Sequence, residues 1–319
     1  GKVAKDGRND KFSNQVRLYV NGQAMSIARW PNQDVQEGEG PIDRPITVKS
    51  GDGKKGGEPS TITYNDETDR AKLWKSDLKD LMIIAHFGVH WAYSSNYVSA
   101  FNADNKALTI KYGVGEYVPK SGDEFYFSNL IDEIDMPGES YIDTENSKIY
   151  FYPYDPDNIS KAEIMVPFAE KTFITAYQST GIVMEGIDFE YVRAAAFNFT
   201  GMKDSKVDGC TFAHFTDSNT FNGDNNIMQN CYLIDGAAGG VRINGGDTKT
   251  LTGGGNVVRN NVFKKLSTLK LSYSPSVNIQ GYNQTVENNE ISYSDHEMIA
   301  MSGMCHRLMK NEIHHAVQW

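Results

Sequence analysis

Six segments of the chain repeat one six-residue pattern: MEGIDF at 184–189, VDGCTF at 207–212, MQNCYL at 228–233, VRNNVF at 258–263, VENNEI at 286–291 and LMKNEI at 308–313. Successive copies begin 23, 21, 30, 28 and 22 residues apart. A period in the twenties with one short strand per copy is typical of a stacked solenoid, because each copy is too small to bury its own apolar face.

The positions within the pattern indicate which side chains face inward. The first and sixth positions are apolar in every copy. The fourth position holds, in order, Ile187, Cys210, Cys231, Asn261, Asn289 and Asn311. A buried amide without partners costs roughly 1–3 kcal/mol, but stacked asparagines can satisfy one another and free backbone groups. The repeat therefore predicts an all-β fold, a right-handed parallel β-helix. A leucine-rich horseshoe fits less well because leucine is sparse and no helical stretch follows each strand. A β-sandwich with a chance recurrence is the remaining alternative.

Two of the repeat copies are longer than the others. The 30-residue copy carries glycine pairs or triplets at 239–240, 245–246 and 253–255, and the 28-residue copy contains the extra stretch 269–275. Extra residues in a solenoid emerge as loops on one face, which is often the binding face. These loops are the first indication of where a functional site lies.

Composition and charge narrow the classes of partner. The 319 residues carry a net charge of −10, which argues against DNA or RNA because a phosphate-reading surface needs clustered lysine and arginine. No apolar run reaches 18 residues, so no membrane span is expected. Three cysteines make neither a disulfide framework nor a zinc spacing. Cys210 and Cys231 are interpreted as buried free thiols, with a disulfide between them as the less favoured alternative.

The first half of the chain has a different pattern. Alternating residues 16–20, the Asn21-Gly22 turn and the return segment 23–30 predict a β-hairpin. A second hairpin is expected from 139–142 and 148–152. We therefore expect two domains: an N-terminal mostly-β subdomain at 1–166 with one or two short helices, and the parallel β-helix at 167–319.

Several segments resemble a group of β-helix carbohydrate-active proteins. They are VNGQ at 20–23 through ARWPN at 28–32, DMPGESYID at 135–143, IYFYP at 149–153, GGDTKTL at 245–251 and NEIHHAV at 311–317. The group includes bacterial glycoside hydrolases such as α-L-fucosidases and xylanases, and is similar in architecture to β-helix polysaccharide lyases. In that group the chain continues into further coils, so the β-helix is expected to be incomplete at its C-terminal end.

The resemblance and the long loops together favour a glycan-degrading enzyme. The leading interpretation is a bacterial glycoside hydrolase that is secreted or periplasmic and acts on an oligo- or polysaccharide. The alternatives are a polysaccharide lyase acting on a uronate-containing glycan and a non-catalytic glycan-binding β-helix. The sugar, the linkage and the stereochemical outcome are left open.

Glycosidic hydrolysis needs an acid and a second carboxylate. Adjacent rungs of a β-helix lie about 4.8 Å apart, so neighbouring rungs can hold such a pair. Asp295 and Glu297 follow the fifth copy, and Asp247 lies in the glycine-rich loop, so these three are the candidate catalytic residues. The competing interpretations are an exposed polar turn for the first two and a turn-capping aspartate for Asp247.

Candidate substrate-binding residues surround these carboxylates. His296 lies between Asp295 and Glu297, and Lys264 and His314 fall in one outward column of the repeat, one residue past the sixth position. His315 is expected to face inward. Tyr273 and Tyr282 flank the long loops and can stack on sugar rings. The remaining candidate is Arg242.

No cofactor is expected. The oxygen-rich stretch 217–226 is a candidate for Ca²⁺, but it lacks the terminal bidentate glutamate of a hand-type loop, and a solenoid turn is favoured there. No metal ligands are assigned.

Overall fold

A computed structural model describes residues 16–32, 46–52, 59–89, 91–112, 117–143, 145–295 and 297–316. The chain divides into two units, residues 1–166 and residues 167–319. Each unit has its own core and is described separately.

The N-terminal unit is built from short strands. They are β1 (Tyr19–Val20), β2 (Gln23–Ala24), β3 (Ser26–Ile27), β4 (Arg29–Trp30), β5 (Ile46–Gly51), β6 (Thr61–Asn65), β7 (Met82–His86), β8 (Tyr93–Asn102), β9 (Ala107–Ile110), β10 (Glu124–Ser128), β11 (Glu139–Asp143), β12 (Lys148–Phe151) and β13 (Ile164–Met165). Short 3-10 helices span Arg70–Leu73, Ile131–Glu133 and Pro156–Lys161. Among the described residues no helix is long and apolar enough to cross a membrane.

Six of these strands close into an antiparallel barrel. The pairing runs β10-β5-β6-β9-β8-β7 and returns to β10. Strand β4 pairs with the last residues of β10, on the same edge of β10 that β5 occupies earlier. The alternating inward residues are large and apolar, and Tyr64, Phe125 and Phe127 pack edge to face at its centre. Closure leaves no free strand edge along these six strands.

Two three-stranded sheets complete the unit. One has the order β13-β1-β2 and the other β12-β11-β3. The predicted hairpin of β11 and β12 is confirmed. The first hairpin is confirmed at its turn, where β1 and β2 pair antiparallel across Asn21-Gly22, but the predicted return strand 23–30 is wrong beyond Ala24 because β3 pairs with β11 and β4 with β10. Leu18, Val20 and Met25 form the small core beneath them.

The C-terminal unit is a parallel β-helix with three six-stranded sheets, which confirms the predicted fold class. Sheet 1 contains β14 (Ile174–Tyr177), β17 (Phe197–Lys203), β20 (Asn219–Asp224), β23 (Val241–Gly245), β26 (Val277–Gly281) and β29 (Ile299–Met301). Sheet 2 contains β15 (Val183–Glu185), β18 (Lys206–Asp208), β21 (Ile227–Gln229), β24 (Val257–Arg259), β27 (Thr285–Glu287) and β30 (Arg307–Met309). Sheet 3 contains β16 (Asp188–Val192), β19 (Thr211–Phe215), β22 (Tyr232–Ile234), β25 (Val262–Lys264), β28 (Glu290–Ser294) and β31 (Glu312–Ala316).

The register confirms both apolar columns of the repeat. The first position aligns across sheet 2 and the sixth across sheet 3, so each apolar side chain packs on its counterpart one rung away. The aligned residues are Met184, Val207, Met228, Val258, Val286 and Leu308, then Phe189, Phe212, Leu233, Phe263, Ile291 and Ile313.

The fourth position forms the predicted asparagine ladder between sheets 2 and 3. Asn261 Nδ2 donates to Asn289 Oδ1 at 3.0 Å, and Asn289 Nδ2 donates to Asn311 Oδ1 at 2.9 Å. The ladder also pairs backbone groups, since Asn289 Nδ2 donates to the Val258 carbonyl at 3.0 Å. Cys210 and Cys231 are free and buried earlier in the same column, as predicted.

A second internal ladder lies between sheets 1 and 2 and was not predicted. It consists of the polar residue before each sheet 2 strand, starting at Ser205 and continuing through Asn226, Asn256, Gln284 and His306. Each backbone N–H donates to the side chain one rung further on, at 2.9–3.2 Å. Because these side chains also donate to carbonyls of sheet 1, they hold the chain where it turns between the two sheets.

A column of glycines ends the later strands of sheet 1. A Cβ on Gly223 would lie 1.9 Å from the Met202 carbonyl oxygen, and one on Gly245 would lie 1.9 Å from that of Gly223. Gly281 and Gly303 continue the column with approaches of 2.1 and 1.9 Å. Only glycine permits this contact between rungs, and the residue before each glycine is polar.

Candidate functional site

The two longest connections of the β-helix flank the same part of sheet 1. Residues 246–256 follow β23, and residues 265–276 precede β26, which is the neighbour of β23 in sheet 1. The extra residues of the two lengthened copies therefore lie at opposite ends of adjacent strands. This placement makes the outward face of β23 and β26 the principal candidate site.

Both connections are held by internal hydrogen bonds. Residues 246–256 contain an antiparallel bridge in which the Asp247 and Thr252 backbones exchange hydrogen bonds of 2.8 and 3.1 Å. In the other connection, Ser274 Oγ accepts from the Gly239 N–H at 2.8 Å, and the Ser267 hydroxyl donates to the Ser274 carbonyl. The loops are thus fixed parts of the site's surroundings.

The outward face of sheet 1 between these connections is lined by amides, hydroxyls and one guanidinium. Strand alternation buries Val241 and Ile243 and turns the residues between and after them outward. Two columns result, one of Thr220, Arg242 and Asn278 and the other of Asn222, Asn244 and Gln280. With rungs about 4.8 Å apart, the six side chains form a grid of donors and acceptors spaced closely enough to contact one ligand.

Two members of the grid have unused hydrogen-bonding groups. The exposed Arg242 guanidinium has no hydrogen bond or ion pair to any part of the chain that the structure describes. Asn222 Oδ1 is buried and likewise lacks a partner within the described residues. Unsatisfied buried polar atoms are uncommon in folded proteins, so Asn222 Oδ1 is the unusual one, while the exposed Arg242 guanidinium is accessible to a ligand.

Asp295 and Glu297 lie at the edge of this face. They belong to the connection 295–298 between β28 and β29, and β29 pairs with β26. Both side chains are half-buried, and the Glu297 carbonyl accepts from the Ser276 N–H at 3.3 Å. The candidate carboxylates are therefore on the rung next to Asn278, at the end where strands enter sheet 1. His296 lies outside the described residues.

Asp247 lies at the opposite edge, where strands leave sheet 1. It is exposed, and its Oδ1 accepts the Lys249 N–H at 2.8 Å. This backbone hydrogen bond is the main reason that the pKa of the Asp247 carboxyl is lowered. The geometry matches the turn-capping interpretation, while a catalytic role for Asp247 stays a prediction.

The two candidate tyrosines lie near opposite ends of strand β26 in sheet 1. Tyr273 is 49% exposed within the 265–276 connection, and Tyr282 follows β26 in the connection to sheet 2. A hydrogen bond with Cys305 raises the pKa of the Tyr282 hydroxyl. Both residues adjoin the same strand, β26, while a sugar-stacking role for them stays a prediction.

Lys264 and His314 occupy a different sheet from Arg242. Their column on sheet 3 is in register with Ser292 between them, as predicted. However, Ser292 is fully buried, so the column is not a continuous polar groove floor. Lys264 Nζ lies 5.3 Å from the Tyr293 ring centroid, which gives it a contact within sheet 3.

The prediction that His315 faces inward is wrong. His315 is exposed, has a φ of 51° and stacks on Tyr293 with ring centroids 4.5 Å apart. The left-handed backbone at this position turns the side chain out of the alternating pattern. His314 Nε2 lies 3.6 Å from Glu290 Oε1, and its Nδ1 lies 2.6 Å from His315 Nδ1, so the two histidines belong to one cluster on sheet 3.

The oxygen-rich stretch 217–226 is largely strand β20 of sheet 1. Asn219 and Asn226 are fully buried, and their side chains bond to the backbone of neighbouring rungs. Within the residues that the structure describes, no group of three or more histidine, cysteine, aspartate or glutamate side chains has a metal-binding arrangement. The stretch therefore has a structural explanation.

Sequence reasoning missed most of the grid. Of its members only Arg242 was a candidate, although a signal was present. A polar residue followed by glycine recurs at 222–223, 244–245, 280–281 and 302–303, and each pair lies at or within two residues of the end of a strand of sheet 1.

The fold resembles that of a solved structure described as a glycoside hydrolase. The similarity has a TM-score of 0.66 with 14% sequence identity, and covers 95% of this chain and 70% of that chain. At this identity the similarity establishes the fold. No protein-family model matches the chain, and no curated protein matches it.

Proposed function

We propose that the protein is a glycan-degrading enzyme, a glycoside hydrolase whose substrate lies on the outward face of sheet 1. The observation that carries this proposal is the grid around Arg242, Asn244, Asn278 and Gln280, flanked by the two longest connections. Amide and guanidinium groups suit a ligand rich in hydroxyls, and the fold of a glycoside hydrolase is compatible with it.

Asp295 and Glu297 are the proposed acid and second carboxylate. Hydrolysis requires a protonated carboxyl to protonate the leaving oxygen and a second carboxylate to act as nucleophile or to activate water. Their half-buried positions beside the grid support this role. Arg242 and the amides of the grid would orient the sugar, and Tyr273 and Tyr282 would contact its apolar faces.

The proposed location and partner follow from the substrate. A polymeric glycan is met outside the cytoplasm, so we propose a secreted or periplasmic protein acting on an oligo- or polysaccharide. The further details, including His296 as a binding residue, belong to the same proposal.

The test is turnover on a panel of plant and algal glycans, with reducing-end release as the readout. Asp295→Asn and Glu297→Gln should each lower kcat by a factor of ~100 or more, since each removes a group that acts in the transition state. Asp188→Asn is the matched control, because Asp188 is an exposed aspartate at the start of β16 on sheet 3. Turnover that is unchanged in both site variants would remove this pair from consideration.

A polysaccharide lyase is the second candidate, because Lys264 and His314 on sheet 3 are side chains that can act as a base. Such an enzyme needs a base and a cation that neutralises a uronate. Product that absorbs as an unsaturated uronide, lost in Lys264→Met and kept in Asp295→Asn, would favour the lyase. Saturable binding with no product after long incubation would favour a non-catalytic glycan-binding protein.

A further inference from the structure

One end of the N-terminal barrel holds a cavity of about 630 Å³. Its apolar side is formed by Trp30, Pro31 and Ile46, and its polar side includes Asn65, Asp66 and Glu67. Ligand pockets in proteins span about 300–1,000 Å³ and often occupy the mouths of β-barrels. The cavity therefore has the size and position of a ligand site.

The strand register explains why these residues meet. Strand β5 begins at Ile46, and its second residue, Thr47, pairs with Asn65 at the end of β6. Strand β4 continues along the same edge of β10 and places Trp30 opposite Phe127. An apolar indole and a set of polar side chains are thus brought to one end of the barrel by backbone pairing.

The Trp30 ring is held in place from one side. The Arg70 guanidinium lies over it, 5.1 Å from the ring centroid. Arg70 is itself fixed by two hydrogen bonds of 3.0 Å to the fully buried Glu133 and by one of 2.6 Å to Asp135. A ring fixed in this way loses little conformational freedom when a ligand binds.

Two buried polar atoms in this part of the chain, one of them on the cavity residue Trp30, have no hydrogen-bond partner among the described residues. Trp30 Nε1 and Asn32 Oδ1 are buried, and neither has a hydrogen bond to any residue that the structure describes. The first is a donor and the second an acceptor. Trp30 is also a wall residue of the cavity, whereas Asn32 is its neighbour two positions along the chain.

The charges around the cavity exclude anionic ligands. Asp66 and Glu67 line it, while the nearby cations are engaged: Arg70 by Glu133 and Lys106 by Asp69 at 2.7 Å. Carboxylates accept hydrogen bonds from hydroxyls but repel phosphates and uronates. The lining therefore disfavours anionic ligands and offers hydrogen-bond acceptors to a ligand with many hydroxyls.

We propose that this cavity binds a neutral saccharide, with a pyranose ring against the Trp30 indole and its hydroxyls on Asn65, Asp66 and Glu67. The site belongs to the N-terminal unit and is distinct from the grid on sheet 1. The proposal goes beyond the proposed function and does not depend on it, because binding here involves none of the proposed catalytic residues.

The test is isothermal titration of the full chain with xylohexaose, cellohexaose and mannohexaose as neutral probes. Trp30→Ala should weaken binding of at least one probe by roughly tenfold or more, as expected for an aromatic anchor. Glu67→Gln should weaken it by about threefold, the size expected for one rim hydrogen bond. Glu163→Gln, an exposed glutamate elsewhere in the same unit, should bind as the wild type does.

The two sites are separated by repeating the titration with Arg242→Ala. Binding at the cavity should survive this change and be lost in Trp30→Ala, whatever happens to turnover. If Trp30→Ala fails to fold, Glu67→Gln and Asn65→Leu provide the same comparison. The proposal is overturned if no probe binds, or if the cavity variants that fold bind all three probes with wild-type affinity.

Discussion

Asn289 offers the most quantitative test of the stacked coils. The change is Asn289→Asp, compared with the same substitution at its neighbour Asn288. The Asn289 side chain is 2% exposed and donates to the Val258 carbonyl at 3.0 Å and to Asn311 Oδ1 at 2.9 Å. Asn288 is exposed, and its side chain donates to Asn260 Oδ1 at 2.8 Å.

The expected losses differ because only one of the two sites is buried. Asn289→Asp removes both donations and sets a carboxylate against the Val258 carbonyl and Asn311 Oδ1, of which Asn311 Oδ1 keeps the Asn289 N–H at 3.0 Å. At ~1–3 kcal/mol for each lost donation, the free energy of unfolding should fall by ~2–6 kcal/mol. Asn288→Asp should change it by ~0.5 kcal/mol or less, as is usual at the surface, and aspartate tolerates the left-handed backbone there.

Urea unfolding at neutral pH measures both variants. With an m-value near ~3 kcal/mol/M, a loss of ~3 kcal/mol lowers the midpoint by ~1 M. Asn289→Asp should also recover stability as the pH falls, because burial raises the pKa of a carboxyl group. Equal midpoints for the two variants would refute the argument that the fourth position of the repeat is an internal ladder.

Three further outcomes are expected. Thiol labelling of the native protein at pH 8 should modify the exposed Cys305 but not Cys231, since burial raises the pKa of the Cys231 thiol to about 12; rapid labelling of both would contradict this. The Asn146 hydrogen bonds lower the pKa of the Asp143 carboxyl to about 2 in the folded protein. The ionised carboxylate therefore stabilises the fold fully at pH values above 3.8, the pKa of the unfolded chain, and this contribution is lost as the pH falls towards 2. Asp143→Asn should therefore flatten the dependence of urea midpoints on pH in that window, and an unaltered slope would count against it. Gly245→Ala should cost ~1–3 kcal/mol or more in urea unfolding through overpacking, because its Cβ would lie 1.9 Å from a carbonyl oxygen; wild-type stability would exclude that contact.

The β-helix was predictable because its repeat alternates apolar and ladder positions at fixed offsets. Asn261, Asn289 and Asn311 identified the ladder between sheets 2 and 3, where the turn is short and every copy has the same spacing. The ladder of Asn226, Asn256 and Gln284 escaped notice because connections of different length separate those residues from the strands before them. Aligning the residues that immediately precede the strands of sheet 2 would have revealed this ladder.

The candidate site was less predictable than the fold. Tyr273 and Tyr282 were named because they flank the long loops, and Arg242 was a further candidate, but the pattern could not assign them to a sheet. The register puts Arg242 on sheet 1 and separates it from Lys264 on sheet 3. Which outward columns share a face depends on where each connection ends, and loop length alone does not fix that.

The N-terminal unit shows a similar limit. Hairpins such as β11–β12 follow from local turn signals, whereas the barrel closes through β7 and β10, which are far apart in sequence. The cavity beside Trp30 depends on that closure, since β4, β5 and β6 meet only in the folded unit. No local pattern in the sequence marks it.

The most direct measurement of the central claim is a crystal structure of Asp295→Asn soaked with an oligosaccharide that the wild-type protein cleaves. The account predicts sugar residues along the outward face of sheet 1, with hydroxyls on Arg242, Asn244 and Asn278 and the scissile bond beside Glu297. Sugar bound along sheet 3 at Lys264, with the sheet 1 face unoccupied, would contradict it.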